Sequence, residues 1–335
     1  MEHQDQQNKS YVLPIAMMFA LFFMISFVTG LQNPFGVIVK NQFMASNLES
    51  QLGNLANFIA YAFMGIPAGK MLERIGYKKT ALAAIAVGFV GVCVTFLSGT
   101  AGSFAVYLTG AFISGFSMCM LNVVVNPMLN TLGGGGKRGN QLLQFGGAIN
   151  SIGATIVPVL VGYLIGTISS ETSIANANPA LFLAMGIFAL AFIVLFSMNI
   201  PEPHAAAAVA NGVKNSHSPL SFRHFVLGAI AIFLYVGIEV GIPNIANLFM
   251  TGSTEANGLG IDTTTAGSVV GTYWFLMFIG RLTGGSLGAK FSSKGMLSFV
   301  SLLGLVFVLL AIFIPETQMV NMPVFKADIS FGLAQ

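Results

Sequence analysis

Long apolar segments alternate with short polar connections along most of this chain. Nine of the segments have the length, about 20 residues, that a helix needs to cross the hydrocarbon core of a bilayer. Their approximate bounds are 11–36, 50–69, 80–98, 102–131, 141–167, 180–200, 223–250, 265–287 and 295–315. Membrane-spanning strands are only about ten residues long and alternate in polarity, so these lengths predict helices. The pattern predicts an all-α polytopic membrane protein.

Composition supports a lipid environment. Only 7% of the 335 residues are charged and 55% are hydrophobic, with a mean hydropathy of +0.81. A soluble domain carries about 25% charged residues, so this chain has too few to cover a water-facing surface. Cys93 and Cys119 lie far apart in apolar segments, which indicates two buried residues rather than a disulfide or a metal site. The four histidines do not cluster, and we expect no metal and no cofactor.

The distribution of positive charge predicts the topology. Of the 14 Lys and Arg residues, only Lys40 and Lys326 fall in the odd-numbered connections between spans. Cytoplasmic connections carry an excess of Lys and Arg. The N-terminus and the even-numbered connections are therefore predicted to be cytoplasmic.

One long polar connection, at 201–222, divides six spans from three and has the composition of a flexible cytoplasmic linker. A faint internal repeat, in which Gly69 corresponds to Gly280, is typical of transporters built from repeats. The predicted organisation is an N-terminal six-helix bundle at 1–200, the linker at 201–222 and an incomplete C-terminal bundle of about three helices at 223–335. The repeat predicts twelve spans, so the chain is expected to be truncated before span 10. A natural nine-span protein is the alternative.

The stretch GKMLERIGYKK, at 69–79, resembles the loop signature of the major facilitator superfamily. Glu73 stands where that signature usually has Asp. The glycines permit a tight turn between spans 2 and 3, and the acidic and basic groups are suited to lock or release the cytoplasmic helix ends. The alternative is an ordinary basic cytoplasmic loop. The predicted gating residues are Gly69, Glu73, Arg74, Gly76, Lys78 and Lys79, with Arg281 in the second half.

Stretches at 122–133, 149–158, 235–240 and 278–285 resemble the fucose and glucose/galactose permease branch of that superfamily, and are most similar to bacterial glucose/galactose transporters. The resemblance implies a fold of 6+6 helices, of which about nine are present, and cation-coupled hexose symport by alternating access. It places the protein in the bacterial cytoplasmic (inner) membrane. The implied partners are a small-molecule sugar, co-transported H⁺ or Na⁺ and the lipid bilayer. No nucleic acid is expected, and the chain is expected to be a monomer.

The chain departs from the proton-coupled fucose members of this branch at three positions. Those members carry carboxylates where this sequence has Asn33 and Asn122, and a glutamine where it has Gly147. Since an amide does not exchange a proton at neutral pH, protons would not use the first two positions. Fucose or another sugar of the same family is the alternative substrate.

Polar residues inside the apolar segments are the candidate binding groups. Asn122, Asn126 and Asn130 recur at intervals of four, which places them on one helical face. Amides donate and accept hydrogen bonds, as sugar hydroxyls do, although hydrogen bonding between helices is an alternative role. Trp274, the only tryptophan, is suited to stack on a pyranose ring or to anchor a span at the membrane interface. The substrate-binding candidates are Asn33, Asn122, Asn126, Gln144, Asn150, Glu239, Asn244 and Trp274.

Glu239 is the one acid predicted near the middle of a span. A charged residue at that depth costs about 2.5–3.5 kcal/mol on insertion scales, which suggests a functional role. Glu239 is predicted to couple transport to a cation, either by carrying a proton or by binding Na⁺ with a main-chain carbonyl that Pro243 leaves free. Contact with sugar hydroxyls and a structural acid bonded to neighbouring amides are the alternatives.

Two other classes of function fit poorly. The spans contain no Ser/His, paired Asp or zinc arrangement, so we predict that the chain is not an enzyme. A membrane receptor that binds sugar without transport should carry a soluble output domain, and none is visible. The run LGGGGKRG at 132–139 lacks the spacing and the Ser or Thr of a phosphate loop and is predicted to be a hinge.

Overall fold

The computed structural model describes residues 11–165, 172–202, 218–252, 254, 258–261, 263–288, 290–313, 319–324 and 327–332. A helix lies in each of the nine predicted segments. The helices are α1 (Val12–Gln42), α2 (Asn47–Ser50), α3 (Leu52–Ala101), α4 (Phe104–Leu132), α5 (Gly136–Ile165), α6 (Asn178–Ser197), α7 (Arg223–Thr251), α8 (Thr263–Leu287) and α9 (Ser293–Phe313). Short 3₁₀ helices lie at Ile174–Ala177 and Pro219–Ser221. Six of the described helices are long and apolar enough to cross a membrane: α1, α3, α4, α6 with its 3₁₀ turn, α7 and α9.

The predicted second and third spans form one long element, α3, of 50 residues. Its helical geometry is broken at Gly76, where φ is 84° and ψ is 178°. The loop predicted at 70–79 is therefore a single non-helical residue between two helical segments. Because only glycine adopts this backbone conformation readily, the break falls where the sequence provides one.

A two-stranded antiparallel hairpin follows α9, with β1 at Met319–Val324 and β2 at Ala327–Gly332. The apolar pattern of the sequence predicted no strand here. Polar residues alternate with apolar ones along β2, which is the period of a strand rather than of a helix. The rest of the described chain agrees with the predicted all-α class.

Contacts divide the chain into two units, Met1–Val209 with Phe278–Phe291 and Ala210–Met277 with Ser292–Gln335. In the first unit, α3 packs most extensively on α4, and α1 packs on α5. Its largest fully buried side chains include Tyr107, Phe27 and Phe188.

Small residues bring α3 and α4 close together. A β-carbon on Gly91 of α3 would lie 2.5 Å from Ser114 Oγ, and one on Gly115 of α4 would lie 2.5 Å from the main-chain oxygen of Asn57. Neither position has room for a side chain. Close approach of small residues is how membrane helices gain packing contacts without a hydrophobic driving force. It also brings polar groups of the two helices within reach of each other.

Candidate functional site

A cluster of polar side chains lies between α3 and α4. The Asn122 side-chain amide, which is half-buried, donates from Nδ2 to Tyr61 Oη at 3.0 Å and to the main-chain oxygen of Met118 at 3.1 Å. Asn126, one turn later and exposed, donates from Nδ2 to the main-chain oxygen of Asn122 at 2.9 Å and lies 3.4 Å from its Oδ1. The predicted shared face of α4 therefore exists for these two asparagines. We call Tyr61, Asn122 and Asn126 the amide cluster.

Tyr61 belongs to this cluster although the sequence analysis did not select it. Its ring packs against Phe58 with centroids 6.1 Å apart, and its main-chain oxygen accepts from the thiol of Cys119 at 3.7 Å. Tyr61 lies 61 residues before Asn122, in an ordinary apolar segment. No local pattern marks such a partner, because only the close packing of α3 on α4 creates the contact.

The third asparagine of the predicted face has a different environment. The side chain of Asn130 lies against Gly139, where a β-carbon would meet its Oδ1 and its main-chain oxygen. That position is at the glycine-rich turn between α4 and α5. Asn130 therefore contributes to the turn rather than to the amide cluster.

No described hydrogen bond joins the other candidates of the first unit to the amide cluster. Asn150 of α5 donates from Nδ2 to the main-chain oxygen of Phe22 on α1 at 3.2 Å. Gln144 is exposed, and no described hydrogen bond joins it or Asn150 to Asn122. Asn33 lies in α1, but its side chain is outside the described part of the structure.

In the second unit, a tyrosine meets the main chain of Glu239. The Tyr273 hydroxyl of α8 donates to the main-chain oxygen of Glu239 at 3.1 Å. Pro243, four residues later, has no N–H to offer that oxygen. The Trp274 ring meets the Tyr273 ring edge-on, with centroids 5.3 Å apart. Asn244 donates from Nδ2 to the main-chain oxygen of Val240 at 2.9 Å.

The turn at Gly76 is closed by a carboxylate from the end of the six-span segment. Glu202 accepts from the main-chain N–H of Tyr77 at 2.7 Å and from that of Lys78 at 2.8 Å. These donors are the first amides of the helical segment that continues α3, which have no partner within a helix. A negative charge is also favoured at a helix N-terminus. Glu202 lies in the stretch predicted to be a linker, and its carboxylate bonds the first two amides of the third predicted span.

Lys78 adds a second contact between this turn and α6. Its Nζ donates to the main-chain oxygen of Phe196 at 2.8 Å and lies 5.9 Å from the centroid of that ring. Glu73, Arg74 and Lys79 are exposed. Gly69 lies inside the helix with open space where its side chain would be. Of the two glycines predicted to form the turn, Gly76 alone does so.

Arg281, the remaining gating candidate, lies in the part of α8 that belongs to the first unit. Its Nη1 donates to the main-chain oxygen of Gly147 at 2.9 Å and to Ser151 Oγ at 2.9 Å, both on α5. A further bond joins Gln141 Nε2 to the main-chain oxygen of Gly285 at 3.0 Å. Gly147, which stands where fucose members have a glutamine, thus accepts a hydrogen bond from Arg281 through its main-chain oxygen.

Comparison with known proteins shows the family to which the chain belongs. The model of the Major Facilitator Superfamily matches residues 18–334. The chain belongs to the major facilitator superfamily. This family consists of transporters, so the prediction that the chain is a multi-pass membrane transporter and not an enzyme is confirmed.

Individual members of the superfamily are similar to the chain over most of its length. A glucose/galactose transporter of Brucella abortus is 29% identical over 284 residues, which are 84% of this chain and 68% of that protein. The L-fucose-proton symporter of Escherichia coli is 21% identical over 330 residues, 92% of this chain and 74% of that one. The crystal structure of the major facilitator transporter FucP in the outward conformation superimposes with a TM-score of 0.73 at 19% identity. The superposition covers 91% of this chain and 78% of the FucP chain. The predicted family and fold are confirmed.

Proposed function

We propose that this protein carries a hexose of the glucose/galactose type into a bacterial cell by alternating access, coupled to the entry of a cation. The amide cluster is the observation that carries the proposal. It places amide and phenol groups, which both donate and accept hydrogen bonds, inside helices that are otherwise apolar. A polar group in a membrane helix needs a partner or a function, and a polyhydroxylated substrate supplies the partners.

The choice of sugar follows from the relatives. The glucose/galactose transporter of Brucella abortus is more similar to this chain than the L-fucose-proton symporter of Escherichia coli. Two positions also support a difference from fucose members, since Asn33 and Asn122 replace carboxylates of the proton-coupled fucose carriers. Fucose is the second candidate, supported by the structural likeness to FucP. We further propose a bacterial inner-membrane location with the N-terminus in the cytoplasm.

The test is uptake into liposomes that contain the purified full chain. Labelled glucose, galactose and fucose are offered with an inward gradient of H⁺, of Na⁺ or of neither. We expect glucose or galactose to accumulate above the external concentration with one of the two cation gradients. Binding of sugar without accumulation would favour a receptor or an inactive fragment, and accumulation of fucose alone would favour the fucose alternative.

A matched pair of variants tests the role of the amide cluster. Asn122→Ala removes the amide that joins Tyr61 to α4, and we expect at least a tenfold fall in sugar uptake. Thr109→Val is the control, because Thr109 is an exposed residue of the same helix whose hydroxyl bonds only the main-chain oxygen of Ala105. Equal uptake by the two variants would contradict a substrate role for the cluster.

Glu239 is proposed to couple sugar entry to the cation. Glu239→Gln keeps the shape of the side chain and removes its ability to ionise. We expect this variant to exchange sugar across the membrane down a concentration gradient but not to concentrate it. Normal accumulation by Glu239→Gln would refute the coupling role without affecting the substrate assignment.

A further inference from the structure

The hydrogen-bond directions of the amide cluster show which of its groups remain available. Met118 and Asn122 contribute main-chain oxygens, which only accept hydrogen bonds. The amide groups that face them, at 3.1 Å and 2.9 Å, must therefore be the NH₂ ends of Asn122 and Asn126. Both asparagines turn their donors into α4. The orientation of each amide follows from this chemistry and not from an arbitrary choice between O and N.

Tyr61 therefore accepts the hydrogen bond that joins it to Asn122. The NH₂ group of Asn122 has two protons, and it uses one for the Met118 oxygen and one for Tyr61 Oη at 3.0 Å. Tyr61 is the acceptor in this bond and keeps its own proton. No described residue accepts a hydrogen bond from that proton.

Asn126 provides the complementary group. Its NH₂ end faces the main-chain oxygen of Asn122, so its Oδ1 takes no part in that bond. This oxygen has no donor among the residues that the structure describes, and Asn126 is exposed. Asn122 is hydrogen-bonded to both Tyr61 and Asn126. The cluster therefore presents one free O–H donor and one free carbonyl acceptor, on two residues that are both hydrogen-bonded to Asn122.

We propose that Tyr61 is a substrate-contacting residue and the hydrogen-bond donor of the sugar site. Its phenol donates to the oxygen of one sugar hydroxyl, while Asn126 Oδ1 accepts a proton from another. This inference rests on the proposed function and adds the direction of the bonds to it. It assigns a tyrosine on α3 to a site whose other members lie on α4.

The direction of each bond makes the proposal testable with altered sugars. Replacing a hydroxyl by fluorine leaves a group that accepts but does not donate, and replacing it by hydrogen leaves neither ability. The hydroxyl that meets Tyr61 should tolerate fluorine better than hydrogen. The hydroxyl that meets Asn126 should tolerate neither. Deoxy and deoxyfluoro forms of the transported hexose are compared at each position as competitors of labelled sugar uptake.

Tyr61→Phe removes the phenol oxygen and keeps the ring that packs on Phe58. At the fluorine-tolerant position we expect the preference for fluorine over hydrogen, about fivefold in the wild type, to disappear in this variant, as for one lost neutral hydrogen bond. The discrimination at the second position should remain. Tyr163→Phe is the matched control, because Tyr163 of α5 is 87% exposed and should change neither preference.

The outcomes separate the two proposals. If the wild type concentrates a hexose but no position prefers fluorine to hydrogen, the assignment of Tyr61 fails and the proposed function stands. The same holds if Tyr61→Phe keeps the preference or lowers the uptake of all analogues by one factor, which is the result for a residue that only positions Asn122. If the wild type binds and concentrates no sugar, both proposals fail. The wild-type comparison decides even where Tyr61→Phe does not fold.

Discussion

Two regions along α3 differ in how many of their hydrogen-bond donors and acceptors have a partner in the protein. At Tyr61, in the second predicted span, a phenol proton and the Oδ1 of Asn126 have no described partner. At the Gly76 turn, 15 residues later in the same helix, the first two amides of the next helical segment both donate to Glu202. The first region has capacity for a ligand, and the second has its donors filled by the protein itself.

This difference suggests that the region around Tyr61 binds substrate, whereas the Gly76 turn stabilises the fold. A donor or acceptor without a partner is costly inside an apolar environment, and a bound ligand that supplies the partner removes that cost. Donors and acceptors that are already paired within the protein fix the local geometry and are not available to a ligand. Substitutions at the turn should therefore change stability, whereas substitutions in the amide cluster should change transport more than stability.

The largest expected effect is on the turn glycine. Gly76→Ala places a β-carbon 2.6 Å from Glu202 Oε2 on a residue whose φ is 84°. Left-handed backbone costs a residue with a side chain about 1–3 kcal/mol, and displacing the carboxylate adds to that. We expect about 3 kcal/mol or more of lost unfolding free energy, measured by thermal unfolding in detergent.

Gly69→Ala is the control for this substitution. Gly69 is the other glycine of the loop signature, but it is helical and has open space at the β-carbon position. Alanine in a helix interior is favoured over glycine by about 0.8–1 kcal/mol, so this variant should be as stable as the wild type or more so. Similar losses for both variants would show that Gly76 is not a special position.

The second effect concerns Arg281. Arg281→Ala removes the charged donor from the Gly147 oxygen and from Ser151 Oγ, which is fully buried. Hydrogen bonds from charged groups contribute about 1.5–3 kcal/mol each, and we expect a loss of about 2–3 kcal/mol in unfolding free energy. Lys290→Ala removes an exposed cation after the same helix and should leave the melting temperature unchanged. Equal melting temperatures for the two variants would show that the hydrogen bonds of Arg281 do not stabilise the fold.

The sequence predicted features that depend on neighbours along the chain. Apolar length predicted where the helices lie, and the spacing of four placed Asn122 and Asn126 on one face. The capping box at the start of α2 was not predicted, although Ser46 and Glu49 show its local spacing. The structure has both of its bonds, and the bonds with Ser46 lower the pKa of Glu49.

The sequence did not predict features that join distant residues. Glu202 lies 125 residues after Tyr77, and Tyr61 lies 61 residues before Asn122. Neither contact has a local signal, because each exists only after α6 and α4 pack against α3. The hairpin at 319–332 was missed for another reason, since its alternation is short and follows a long apolar helix.

A smaller effect is expected at Glu202. Glu202→Gln keeps one carbonyl oxygen but removes the charge and puts an NH₂ group where the second amide donor needs an acceptor. We expect a loss of about 1–2 kcal/mol, together with faster hydrogen exchange at the amides of Tyr77 and Lys78. Glu73→Gln is the matched control, because Glu73 is a neighbouring exposed acid of the same signature. Unchanged exchange at these two amides in Glu202→Gln would mean that the carboxylate does not hold the turn.

The smallest effect on stability, and a large one on transport, is expected for Asn126→Ala. The side chain of Asn126 bonds only within α4, so its removal should cost less than about 0.5 kcal/mol of unfolding free energy, as is usual for exposed positions. Its Oδ1 is nevertheless the free acceptor of the amide cluster, and its loss should reduce sugar uptake about tenfold. Thermal unfolding and uptake are measured on the same preparation. A variant that loses stability in proportion to uptake would place Asn126 with Glu202 among the supporting residues, and the contrast between the two parts of α3 would then be wrong.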